Sequence, residues 1–155
     1  MVKRVIRFVN LFFTGLTAGS LLSIWFVERE IRSFSASDYT RIEQAKHRPL
    51  GPLFTALVSL SDVSSLAALL LSRGTPTFFP TFVASLCGAA ATVSTLRINV
   101  PINAEQMTWS IGAPPANWAA IRDRWQRAHS FRTVLWLVAM ACQVSAALAE
   151  SGDTG

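Results

Sequence analysis

Six residues near the C-terminal end fall on one line. Trp118, Arg122, Trp125, His129, Arg132 and Trp136 advance by steps of 4, 3, 4, 3 and 4. At about 100° per residue, all six stay within a helical stripe on the order of 80° wide. Gln143 continues the same line. A guanidinium stacks well on an indole face, and here an imidazole lies between two arginines, so the stripe suits a flat, electron-rich aromatic anion. The competing reading is an interfacial tryptophan belt with arginines reaching to phosphate. Such belts surround a helix, whereas these residues share one face with a histidine.

Other chemistry-bearing residues cluster nearby in sequence. Asn99, Pro101 and Asn103 follow an apolar run; Pro101 cannot continue a hydrogen-bonded helix without loss, so a kink or new turn is expected there. The two amides then either aim inward, where they need partners, or cap the broken helix. Asp62 sits in an apolar run with Thr55 and Ser59 on its helical face. A carboxylate there must face protein or water. It is either a site residue or a hydrogen-bonded structural group among Ser59, Ser61, Ser64 and Ser65. His47, His129 and Glu28 compose a two-histidine, one-carboxylate metal set by type, but no HxxxH spacing supports it, and a metal-free site is the preferred expectation. For His47 alone, a loop cap or head-group contact is the plainer reading.

The elements that must position these residues are membrane helices. The chain has 155 residues, 51% hydrophobic and only 15% charged, too apolar for a soluble domain of this size. Four runs approach the roughly 20 apolar residues that cross a bilayer: 8–27, 50–72, 75–96 and 133–149, of which only the second carries a charge, Asp62. The first is too long for the apolar part of a signal peptide, and no small-x-small cleavage site closes it, so it is expected to be retained. Four spans put both termini on one side and the two longer connections, 28–49 and 97–132, on the other. The expectation is one all-α domain over 1–155, an antiparallel four-helix membrane bundle whose polar and aromatic pole is formed by those connections. Gly15, Gly19 and Ser23 make a small-residue ridge for close helix approach; Asn10, Thr14, Thr17 and Glu28 fall near the opposite face. Cys87 and Cys142 lie inside spans and read as packing residues.

The formal charge of +5 is spread over short flanks with no basic tail, which argues against a nucleic-acid partner and for contact with lipid head groups. More Lys and Arg lie at the elaborated pole than at the other, placing it in the cytoplasm. The basic N-terminus argues the reverse.

NVPIN at 99–103, Trp109, and the pattern from Trp118 through Arg122, Arg124, Trp125 and His129 to Arg132 together resemble the anthrone oxygenase-like family of small four-span membrane proteins. The early helix GLTAGSLLSIWFVE and the span layout agree with it, so the likeness covers nearly the whole chain. The resemblance implies conversion of polyketide anthrones, or related planar aromatics, to quinones with molecular oxygen as co-substrate and without a recognised metal or flavin. A mechanism suited to that chemistry has His129 remove the acidic benzylic proton and Arg122, Arg132 and Asn99 stabilise the enolate oxygen, with Trp109, Trp118, Trp125, Asn103 and Asp62 expected to hold the substrate. The alternatives are a non-catalytic accessory protein whose stripe meets a partner helix or lipid, and a metal-dependent oxidoreductase using His47, His129 and Glu28. Substrate identity and oligomeric state stay open.

Overall fold

The computed structural model describes residues 1–152, and every long element among them is helical. Helix α1 spans Val2–Ile31, α2 Ala36–Leu71, α3 Phe78–Ser94, α4 Val100–Gln106 and α5 Trp118–Gly152, with a π turn over Thr95–Asn99 joining α3 to α4. Four helical stretches, Val2–Ile31, Ala36–Leu71, Phe78–Gln106 and Trp118–Glu150, are long and apolar enough to cross a membrane. The protein is a multi-pass membrane bundle. At 1.5 Å per residue these helices exceed a hydrocarbon core of about 30 Å, so their ends project beyond it.

Those projecting ends make the polar pole. The interval 28–49 is almost wholly helix: α1 continues to Ile31, and α2 starts at Ala36, where the Ser35 hydroxyl caps it by accepting from Asp38 N at 3.2 Å. In the interval 97–132 only residues 107–117 lie outside helix, and α5 begins after the Pro114–Pro115 pair. At the other pole, 75–77 form a turn instead of the start of a span. Gly74 takes a φ of 74°, and the Thr75 hydroxyl donates to Ser72 O at 2.6 Å, closing the chain back on itself.

Two irregularities lie near the polar pole. Pro49 and Pro52 lie inside α2, and because proline has no N–H, the carbonyls four residues before each lose their helical donor. On the other side, the disturbance expected at Pro101 appears as the preceding π turn, in which Val100 N–H donates to Thr95 O, five residues back. Such turns bow a helix without ending it.

The interior is unusually polar along α1. Asn10, Thr14, Thr17 and Glu28 are buried. Asn10 Nδ2 donates to Ser65 Oγ at 2.7 Å, and the Thr17 and Ser61 hydroxyls pair at 2.9 Å. In lipid, hydrogen bonds and close packing hold helices together more than apolar burial does. The ridge expected at Gly15, Gly19 and Ser23 does not serve that purpose inside the bundle. Only Gly15 approaches another helix, at Met140, while Gly19 has open space where a Cβ would stand. The hydroxyl seam took the inward face instead. Ala18, Leu21, Ala84, Ala91, Trp136 and Ala139 form the apolar core, the alanines letting backbones close around one indole.

Opposite the polar pole, Arg7 closes the bundle. Its Nη1 donates to Thr81 Oγ1 at 3.1 Å and to Gln143 Oε1 at 3.0 Å, and its Nη2 pairs with Glu150 at 2.8 Å. Removing one partner of a buried ion pair costs about 3–5 kcal/mol, with the low end expected where the other partner keeps water, as the 43% exposed Glu150 side chain does. Arg7→Ala is therefore expected to destabilise the bundle by about 3 kcal/mol, read as an earlier midpoint in denaturant-induced unfolding in mixed micelles.

Candidate active site

A cavity of about 510 Å³ lies where the four helices diverge beneath the polar pole. Leu21 and Ile24 of α1 wall one side. Glu43, Lys46, His47 and the Leu50–Ser59 segment of α2 supply another, Thr92 to Ala104 a third, and Trp125, Arg132 and Trp136 of α5 the last. Charged and hydrogen-bonding groups gather at the pole end, and apolar side chains toward the membrane. Drug-sized molecules occupy pockets of this class, on the order of 300–1,000 Å³.

Trp125 is the centre of the polar end. Its Nε1 donates to Asn103 Oδ1 at 2.6 Å, which fixes the indole plane. His129 stacks on it with ring centroids 4.9 Å apart and planes 12° from parallel. Lys46 Nζ and the Arg132 guanidinium each stand 5.6 Å from the indole centroid. Asn99, fully buried, donates to the Trp125 carbonyl at 3.2 Å and leaves its own Oδ1 without a partner. The amides of 99 and 103 do point inward, and both hold Trp125.

The hydrogen bonds around His129 determine its protonation state. Arginine only donates, and Arg132 Nε and Nη2 lie 3.2 and 3.0 Å from His129 Nδ1. Nδ1 must therefore carry a lone pair, so the proton sits on Nε2, which donates to Leu21 O at 3.1 Å. His129 is a neutral imidazole with both nitrogens engaged and no exposed surface. It stands behind the cavity wall and holds the guanidinium.

Charge is unevenly matched across the site. Lys46 bridges two carboxylates, Glu28 and, at 2.6 Å, Glu43. Arg132 has neutral partners only, His129 and Thr95 Oγ1, the latter at 3.3 Å. No carboxylate pairs with it among the described residues. A half-buried guanidinium on a cavity wall with no carboxylate bonded to it suits an anion.

The remaining expected residues lie elsewhere. Trp118 packs on Tyr39 at 5.4 Å and under Arg122 at 4.9 Å, while Trp109 joins Tyr39 and Ile31 in a separate core cluster. Arg122 ties down the α1–α2 turn through Arg32 O at 2.9 Å and pairs with Asp123. None of these three lines the cavity. The stripe on α5 thus divides, its first turns clamping the tip of the bundle and its middle turns facing the cavity. Asp62 sits one layer deeper, accepting from the cavity residue Thr92 at 2.7 Å. It is packed so closely on Gly88 that a Cβ there would lie 3.0 Å from Oδ1. His47, His129 and Glu28 do not converge, since Glu28 is taken by Lys46 and His129 by Arg132. No group of three or more His, Cys, Asp or Glu side chains gathers as a metal-holding set among the described residues.

The cavity adds residues that the sequence did not single out, chiefly Lys46 and Glu43. Both lay in an interval read as connection, where helical spacing was not sought. The progression Glu43, Lys46, Leu50, Phe54 and Val58, with His47 beside it, is the signal that would have found them. His47 itself lines the cavity. Its ring rests over Gly51, where a Cβ would lie 3.3 Å from Cε1.

Fold and site define a class: small, all-helical, four-span membrane proteins with a cation-lined, aromatic cavity at one pole. Residues 42–142 match the family model for anthrone oxygenase, about two thirds of the chain, and the chain belongs to that family. The match takes in every cavity wall except the one from α1. No curated protein and no solved structure matches the chain.

Proposed function

We propose that the protein is a membrane oxygenase that converts an enolisable, planar polycyclic aromatic of the anthrone type into the quinone, with molecular oxygen as the oxidant. The observation that carries this reading is Arg132, a cavity cation lacking a carboxylate partner and set beside the indole of Trp125. An aromatic enolate offers the flat face and the anionic oxygen that this pair suits.

Ground-state oxygen is a triplet and reacts slowly with closed-shell molecules, so the protein's task is to make and hold an electron-rich anion. His47 takes one benzylic proton, since its ring faces the cavity and no hydrogen bond to another described residue ties it. Imidazole is the side chain suited to proton transfer near neutrality. Arg132, with Lys46 and Asn103 beside it, stabilises the enolate oxygen, and Trp125 and Trp136 stack on the rings. The carbanion gives one electron to oxygen, and the resulting radical and superoxide join in a C–O bond. The peroxide anion recovers the proton from His47, and loss of the second benzylic hydrogen with O–O cleavage releases water and leaves the carbonyl. One oxygen atom enters the product and one leaves as water, with no external reductant. Oxygen itself is the co-substrate, and the reaction as written calls for no metal or flavin.

In this reading His129 is a positioning residue. His129→Phe keeps the stacking on Trp125 but frees Arg132 and leaves the Leu21 carbonyl without its donor. Turnover is expected to fall by about 10–100-fold through misplacement of the guanidinium, while protein-dependent exchange of the benzylic hydrogen with solvent, though slowed, persists because His47 remains. Complete loss of that exchange in His129→Phe would reassign the base to His129.

Exposed Arg29, Arg41, Arg48, Arg97, Arg124 and Arg127 at the cavity pole, against Lys3, Arg4 and Arg73 at the other, support a cytoplasmic cavity. The lipid bilayer is its setting and a planar aromatic small molecule its ligand. The direct test is incubation of the purified protein in vesicles with an anthrone under ¹⁸O-labelled oxygen gas. The reading predicts quinone carrying one labelled atom, formed faster than in protein-free vesicles. An unchanged rate would favour an accessory protein.

A further inference from the structure

The cavity has six exposed residues in its lining. Its exposed lining residues fall on two stripes: Pro52, Thr55 and Ser59 along α2, and Leu96, Val100 and Ala104 along the end of α3, the π turn and α4. Spacings of three or four residues put each set on one helical face. The stripes border the same cavity from opposite sides, so the gap between α2 and α3–α4 is a slot through the side of the bundle. The two backbone irregularities, Pro49 and Pro52 on one side and the 95–99 turn on the other, flank it.

The surface outside the slot is apolar. Leu53 and Leu60 beside the first stripe are 50% and 45% exposed, and Val93 beside the second is 52% exposed. The Thr55 hydroxyl donates to Gly51 O at 3.0 Å, so it offers little polarity to the rim. Residues 52–59 and 96 belong to the apolar runs that meet hydrocarbon, whereas the charged groups Lys46 and Arg132 lie at the inner, pole end of the cavity.

We infer that this slot is a lateral portal through which a planar aromatic solute dissolved in the bilayer reaches the cavity, with Thr55 and Val100 setting its width. The identity of that solute as an oxidisable substrate rests on the function proposed above; the portal does not. A poorly water-soluble polycycle gathers at the edge of the hydrocarbon with its oxygen toward the head groups, and the slot receives it there with the oxygen end toward Arg132.

The test uses the full-length protein in phosphatidylcholine vesicles and a lipophilic aryl diazirine as photoprobe, with labelled residues located by mass spectrometry. Phe54, Val58 and Trp136 inside the cavity are expected to be labelled. Thr55→Trp and, separately, Val100→Phe are expected to lower that labelling by about fivefold or more through crowding of the slot. Leu86→Trp, on a lipid-facing part of α3, should leave it unchanged. Unaltered labelling of the outer residue Phe79 in each variant reports an intact bundle. Cavity labelling that neither slot variant reduces, or that a membrane-impermeant diazirine reproduces, overturns the portal. Quinone formation is measured separately, so failure of the oxygenase reading leaves the labelling result interpretable. If both hold, the slot variants raise KM for an anthrone by a larger factor than they lower kcat.

Discussion

Arg132→Leu lowers kcat/KM for oxidation of an anthrone by about 10²–10³-fold, with most of the loss in kcat. Removing a single preorganised donor from a developing oxyanion costs a factor of this size in a water-poor site. Arg132 meets that description because its partners are neutral. Nε and Nη2 rest on His129 Nδ1 and Nη1 on Thr95, so no carboxylate is bonded to it and the nearest one acting on it, Glu28, is held by Lys46. Leucine keeps much of the aliphatic bulk, so the change reports charge more than packing. Arg132→Lys should recover only part of the rate, because an ammonium cannot satisfy His129 and Thr95 while meeting the enolate. Steady-state rates in vesicles check both variants, and equal rates for Arg132→Leu and wild type would remove the guanidinium from the mechanism.

His47→Gln is the second large effect. A positioned base contributes typically about 10²–10⁴-fold, and glutamine preserves size and polarity without accepting a proton. In His47→Gln the residual rate should rest on unaided ionisation of the substrate, and protein-dependent exchange of its benzylic hydrogen with solvent should be lost. The comparison with His129→Phe matters here. Both remove an imidazole from the same pole, but only one of the two rings faces the cavity, so only His47→Gln should abolish that exchange.

The helices were legible because hydrophobic run length against bilayer thickness is a strong constraint. The stripe from Trp118 to Trp136 was legible too, since a period of 3.6 fixes which α5 residues share a line. What periodicity could not give is depth. Trp118 and Arg122 share that line with Trp125 and Arg132, yet they reach the tip of the bundle, where Tyr39 and Arg32 receive them. His129 lies on the same line and turns both nitrogens into bonds with Leu21 and Arg132, partners far apart and near in sequence that spacing alone does not rank. Lys46 and Glu43 were hidden because the polar end of α2 resembles a loop in composition, its prolines marking a bowed helix and not its start. The ridge at Gly19 shows the converse: a small-residue pattern permits close packing, but the paired hydroxyls of Thr17 and Ser61 decided which face turned inward.

The most direct measurement separates proton removal from oxygen. With oxygen excluded, the protein in vesicles made up in D₂O is given an anthrone, and deuterium uptake at the benzylic carbon is followed by mass spectrometry. The account predicts exchange well above that in protein-free vesicles, lost in His47→Gln and strongly reduced in Arg132→Leu. Exchange no faster than in protein-free vesicles, from a preparation that still forms quinone once oxygen is admitted, would contradict it.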